Sequence, residues 1–118
     1  MSTSERPRKV LVVEDVALIR MTTMDMVEQL GFAATEAADA AEALAILQQD
    51  GEIEILLTDL GMPGMSGREL VEETLRLKPG MKVIIASGYS INAEELPSNV
   101  SILTKPFDMQ QLRRALES

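Results

Sequence analysis

The 118-residue sequence predicts an α/β fold: a single domain on a doubly wound, five-stranded parallel sheet in the order 2-1-3-4-5, flanked by helices. Three observations predict it. Short apolar runs alternate with helical apolar stripes at close spacing, which implies strand–helix–strand units with right-handed crossovers. Three runs (Val10–Val13; Ile53, Ile55, Leu56 and Leu57; Val83–Ala86) are nearly all apolar, as strands covered on both faces must be. The doubly wound order puts those three at the centre of the sheet.

Residues 1–8 read as a flexible polar tail and residues 9–118 as the domain. Arg6, Arg8 and Lys9 read as solubilising gatekeepers before an apolar strand. The first strand, Val10–Val13, ends at Glu14-Asp15, and Asp15 is placed to cap the first helix. In that helix Ile19, Thr23, Met26, Val27 and Leu30 share one face, and Gly31 ends it. Phe32–Ala37 is a second, more polar strand, hence an edge. Asp39 caps a helix with a narrow stripe of Ala40, Ala43, Leu44 and Leu47, closed by Asp50-Gly51. The third strand ends at Thr58-Asp59, where Gly61, Pro63, Gly64 and Gly67 break regular structure. Ser66 caps a third helix whose Leu70, Val71, Thr74 and Leu77 face inward, and Pro79-Gly80 stops it. The fourth strand runs into Ser87-Gly88-Tyr89-Ser90. Residues 91–99 allow a helical turn at Ala93–Leu96, but Pro97 keeps any helix before the fifth strand short or irregular. The fifth strand, Val100–Leu103, ends at Thr104-Lys105-Pro106-Phe107. Asp108 caps a last helix with Leu112, Ala115 and Leu116 inward.

Composition narrows the function. The formal charge is −8, from 11 basic and 19 acidic residues, which argues against a nucleic-acid surface, and aromatic residues are too few to stack bases. Cysteine and histidine are both absent, which excludes disulfides, thiolate or imidazole metal sites and histidine general bases. No apolar run reaches the length of a membrane span, and MSTSERPRK lacks the apolar core of a secretory signal, so a cytoplasmic location is expected.

In the predicted fold every strand ends along one edge, where ligands bind in open parallel sheets. Glu14, Asp15, Asp59, Ser87 and Lys105 would converge there from four strands. Taken singly, Asp15 and Asp59 read as caps, Ser87 as a turn residue and Lys105 as a solvated charge. Together, each at the mouth of a buried strand, they read as a site. Crowded carboxylates repel unless a cation intervenes. Mg²⁺ takes one or two carboxylates, keeps waters and leaves positions for phosphate oxygens. Lys105 would then meet a phosphoryl oxygen, Ser87 would donate to one, and Asp59 is left as the nucleophile.

The ordered set Glu14-Asp15, Asp59 with Met62-Pro63-Gly64-Met65-Ser66-Gly67, Ser87, and Lys105-Pro106-Phe107 resembles the receiver domain of bacterial two-component response regulators, over about residues 8–117. The resemblance implies a flavodoxin-like fold and a phosphorylatable switch. Asp59 would accept phosphate from a phosphohistidine of a sensor histidine kinase or phosphotransfer protein. Glu14, Asp15, Asp59 and the backbone carbonyl of Gly61 would hold Mg²⁺, and Lys105 and Ser87 would bind the phosphoryl group. It implies no enzyme beyond the chain's own phosphorylation and dephosphorylation, a downstream protein target, and a monomer or weak dimer. A cis bond is expected at Lys105–Pro106.

The chain departs from the family at Ile102, where many members carry an aromatic switch residue. Tyr89 could report the switch instead, or be a half-exposed loop tyrosine. A short Ser87–Lys105 segment puts the common dimer face, which includes strand five and its flanking helices, in doubt. The Ser-Gly-Tyr segment resembles that of receivers attached to hybrid sensor kinases, while Met1 favours a free-standing chain. Gly61 leaves space beside the phosphate. Met62 and Met65 read as packing residues rather than a docking patch. The alternatives are a pseudo-receiver acting as a constitutive interaction module, against which the intact set of five speaks, and a metal-dependent phosphatase, for which neither a second acidic residue near Asp59 nor a substrate cap is found.

Overall fold

The structure is a computed structural model that describes residues 7–61, 64, 66–88 and 98–117. Five strands and four helices alternate. They are β1 (Lys9–Val13), α1 (Ala17–Gln29), β2 (Ala33–Ala37), α2 (Ala40–Gln49), β3 (Ile53–Asp59), α3 (Gly67–Leu77), β4 (Lys82–Ser87), β5 (Val100–Thr104) and α4 (Met109–Glu117). The sheet is parallel throughout, in the predicted order β2-β1-β3-β4-β5. No helix among the described residues is long and apolar enough to cross a membrane.

Alternating strand residues feed two apolar layers, which is why the central strands are apolar on consecutive positions. Leu11, Val13, Leu56, Val83 and Ile85 pack under α2 and α3 against Ala43, Leu47, Leu70 and Val71. Val10, Val12, Ile55, Leu57, Ile84 and Ala86 face the other way, against Val27 of α1 and Leu112 and Leu116 of α4. The sheet is thereby clamped between two helix pairs, and its strand ends are fixed relative to one another.

Three helices start where the sequence places their caps. The Asp39 carboxylate accepts the Glu42 N–H at 2.8 Å, and Glu42 Oε1 accepts the Ala38 N–H. Ser66 and Glu69 form a reciprocal capping box, as do Asp108 and Gln111. Gly31 follows α1 at φ +94°, the left-handed geometry that favours glycine at a helix C-terminus. Lys105–Pro106 is cis, as expected. Of the gatekeepers, Arg8 pairs with Glu54 at 3.4 Å and Lys9 with Asp50; the Arg8 carbonyl accepts the Ala33 N–H.

Several expectations need correction. Asp15 does not cap α1: the helix starts one residue later, with Val16 at the N-cap position and no side-chain cap, and the exposed Asp15 carboxylate lies with Glu14 and Asp59 instead. Ile19 is 44% exposed and borders a cleft instead of the core. Leu77, the last residue of α3, is 46% exposed, and half-buried Leu75 packs against the core in its place. The irregular helix of residues 91–99 lies outside the described residues except for Ser98 and Asn99; so do Tyr89, Met62 and Met65.

Thr74 is fully buried and its Oγ1 has no hydrogen-bond partner among the described residues. A buried hydroxyl without a partner costs stability. Thr74→Val is expected to stabilise the fold by about 1–2 kcal/mol; urea unfolding of the two proteins measures the difference.

Candidate functional site

The strands end in register at one edge. Val13 lies beside Ala37 and Thr58, Asp59 beside Ala86, and Ser87 beside Thr104. Glu14 and Asp15 follow β1, and Lys105 follows β5, so side chains distant in sequence meet because the parallel register aligns their strands.

Oxygens of Glu14, Asp15 and Asp59 all lie within 4.8 Å of one another. The Lys105 ammonium donates to Asp59 Oδ1 at 3.0 Å and to Glu14 Oε1 at 3.4 Å. Glu14 is buried, Asp59 half-buried and Asp15 exposed, so the cluster opens to solvent through Asp15. Ser87 is 2% exposed, and its carbonyl accepts the Lys105 N–H at 2.8 Å, which ties the ends of β4 and β5 together. Gly61 is exposed two residues beyond Asp59, and a Cβ there would meet nothing within 4 Å.

Charge is the dominant property. Burial pushes the Glu14 carboxyl above the ordinary carboxylate range, and the neighbouring Asp15 and Asp59 add to the rise; the Val16 N–H and Lys105 oppose it. At Lys105 burial works against the ammonium, but the hydrogen bond and charge of Asp59, joined by Glu14, outweigh it and hold the amine above the ordinary lysine value. Three carboxylates thus face one ammonium that stays charged. An all-oxygen donor set with excess negative charge, half open to solvent, fits a hard divalent cation such as Mg²⁺.

Three supports were not identified from the sequence. Thr58 Oγ1 donates to the Asp59 carbonyl at 2.9 Å from a fully buried position. Gly67 opens α3 directly against the end of β3: its N–H donates to the Leu60 carbonyl at 2.8 Å, and a Cβ there would lie 2.2 Å from the Asp59 carbonyl oxygen. Arg20 of α1 donates to the Glu14 carbonyl at 2.7 Å and to Glu36 at 2.9 Å. The signal for Arg20 was a lone cation at position i+4 from Val16, one helical turn beyond the acidic pair.

An apolar cleft of about 590 Å³ leads away from Asp59 and Lys105, between α1 and the segment after β5. Leu18, Ile19, Met26, Leu57 and Phe107 line much of it.

Residues 10–117 match the profile of the response regulator receiver domain family. The chain is 37% identical over 108 residues to the sensor kinase CckA of Brucella abortus, covering 87% of this chain but 11% of that kinase. It is 28% identical over 114 residues to the response regulator receiver protein CpdR of the same organism, covering 93% of this chain and 94% of the relative. The crystal structure of the response regulator TrrA from Thermotoga maritima, in complex with Mg²⁺–BeF, is similar at a TM-score of 0.84 and 26% identity, covering 93% of this chain and 96% of that one.

Two outcomes are expected. Gly67→Ala forces backbone apart at the root of Asp59 and is expected to cost about 1–3 kcal/mol in urea unfolding. Glu14→Gln removes a buried charge whose raised pKa marks it as a penalty on folding near neutral pH. In metal-free buffer the variant is expected to melt higher than wild type, since Lys105 keeps Asp59 as its partner. Scanning calorimetry with Mg²⁺ added is expected to narrow or reverse that gap, because wild type offers one more carboxylate.

Proposed function

The chain belongs to the response regulator receiver domain family of two-component signalling, and from that premise we propose that Asp59 is its phosphoryl-accepting residue. The observation that carries this reading is the Lys105 ammonium held 3.0 Å from the Asp59 carboxylate inside a group of three acidic side chains. Lys105 would compensate added negative charge at Asp59 from one side, and a divalent cation held by the carboxylates would do so from the other.

In this reading an Asp59 carboxylate oxygen attacks the phosphorus of a phosphohistidine. A P–O bond forms as the P–N bond breaks, and the electron pair of the broken bond returns to the imidazole. A carboxylate nucleophile needs no general base, which accords with a sequence that has no histidine. Catalysis is positioning and charge neutralisation. Lys105 meets a phosphoryl oxygen, and the Ser87 hydroxyl donates to another. Glu14, Asp15, Asp59 and the Gly61 carbonyl would hold Mg²⁺, which when bound neutralises charge on the phosphoryl oxygens. Thr58 and Gly67 fix the backbone from which Asp59 projects.

The donor is a sensor histidine kinase or phosphotransfer protein. A surface for it is offered by the start of α1, where Val16, Leu18, Ile19 and Met21 are exposed and Leu18 and Ile19 line the cleft. Phosphorylation then shifts the population of surface conformations read by a downstream protein. The receiver unit begins at Lys9 and works in the cytoplasm as a monomer or weak dimer, without contact to nucleic acid or membrane.

Incubation with Mg²⁺ and acetyl phosphate, followed by a phosphate-affinity gel, is expected to give one shifted band. Asp59→Asn is expected to abolish it, and omission of Mg²⁺ to suppress it. Persistence of the band in Asp59→Asn assigns the phosphoryl group elsewhere; no band in wild type favours a constitutive interaction module.

A further inference from the structure

We infer that Arg20 is a positioning residue that sets the cation affinity of the acidic cluster by strapping the Glu14–Val16 turn to β2. The inference rests on the reading of that cluster as a Mg²⁺ site.

The turn that presents Glu14 and Asp15 has little of its own to hold it. Val16 begins α1 without a side-chain cap, and α1 has no acidic residue in its first turn. The constraints come from neighbouring elements. The Glu14 N–H donates to the Ala37 carbonyl of β2 at 3.1 Å. The Glu14 carbonyl, on the other side of the same residue, receives the Arg20 guanidinium at 2.7 Å. The Nε of that guanidinium donates to Glu36 of β2 at 2.9 Å, and the Arg20 side chain is only 15% exposed. Within Glu14 itself, Oε2 accepts the Val16 N–H at 3.2 Å and Oε1 faces Lys105. Both backbone polar groups of Glu14 are therefore tied to β2, one directly and one through Arg20. A planar, forked donor suits this bridge, because it reaches two acceptors in fixed directions.

Two physical roles for Arg20 predict opposite signs. As a charge alone, a guanidinium near three carboxylates opposes a divalent cation, so its removal would tighten binding. As a strap, its removal frees the Glu14 carbonyl, lets the turn move and spreads the oxygens. Groups that orient metal ligands typically change affinity 10–100-fold when lost. The short bond to the Glu14 carbonyl, and the partial neutralisation of the guanidinium by Glu36, favour the strap.

The test is isothermal titration of the full chain with Mg²⁺, at a temperature where circular dichroism shows every protein folded. Arg20→Gln is expected to weaken Mg²⁺ binding about tenfold or more. Arg20→Lys, which keeps the charge but not the fork, is expected to weaken it as well, by less. Binding equal to or tighter than wild type in Arg20→Gln overturns the inference; should that variant not fold, unchanged affinity in Arg20→Lys overturns it. A wild-type chain that takes up no Mg²⁺, or whose uptake survives Asp59→Asn, overturns the metal reading itself and this inference with it.

Discussion

One ammonium against crowded carboxylates is the constraint on which the rest depends. Lys105 lies 3.0 Å from Asp59 and 3.4 Å from Glu14, and Asp15 completes an acidic group within 4.8 Å. Left alone, such a group lowers its energy by spreading apart or taking up a proton. Here the raised Glu14 carboxyl already leans toward the proton, and spreading is blocked. Glu14 is held by backbone bonds to Ala37 and Val16, and Asp59 projects from a strand end that Thr58 and Gly67 fix. The fold holds together charges that would otherwise separate, and the site's chemistry draws on that enforced proximity.

The parallel sheet makes the enforcement possible. Its strands point one way, so β1, β3, β4 and β5 deliver their last residues to a common edge, and apolar layers on both faces keep those ends from sliding. The edge is also where the chain leaves regular structure. Functional side chains therefore sit on the last residues of strands or just beyond them, with a rigid sheet behind them.

Much of this was legible in the sequence for a local reason. Strands such as Val10–Val13 and Val83–Ala86 are apolar at successive positions, and Asp39, Ser66 and Asp108 are capping residues followed three positions later by Glu or Gln. Such signals act over a few residues. The site residues were legible as an ordered set at strand ends, since the topology turns sequence order into spatial order. What was missed depends on distant partners. Asp15 is as good a cap as Asp39 by residue type, yet α1 starts after Val16 and the Asp15 carboxylate joins Glu14 and Asp59. Gly67 looks like one loop glycine among several until the Asp59 carbonyl is seen beside it. Arg20 reads as a polar position on α1 until β2 supplies Glu36.

Ile102 stands mid-strand in β5, half-buried and paired in register with Ile85. A β-branched aliphatic residue has few torsional wells and no hydroxyl with which to lock one of them. It works as a strut, not a lever. In the proposed reading, motion started at Asp59 would move Ile102 together with its backbone, and the mechanical stiffness of β5 would bear on how strongly the switch responds.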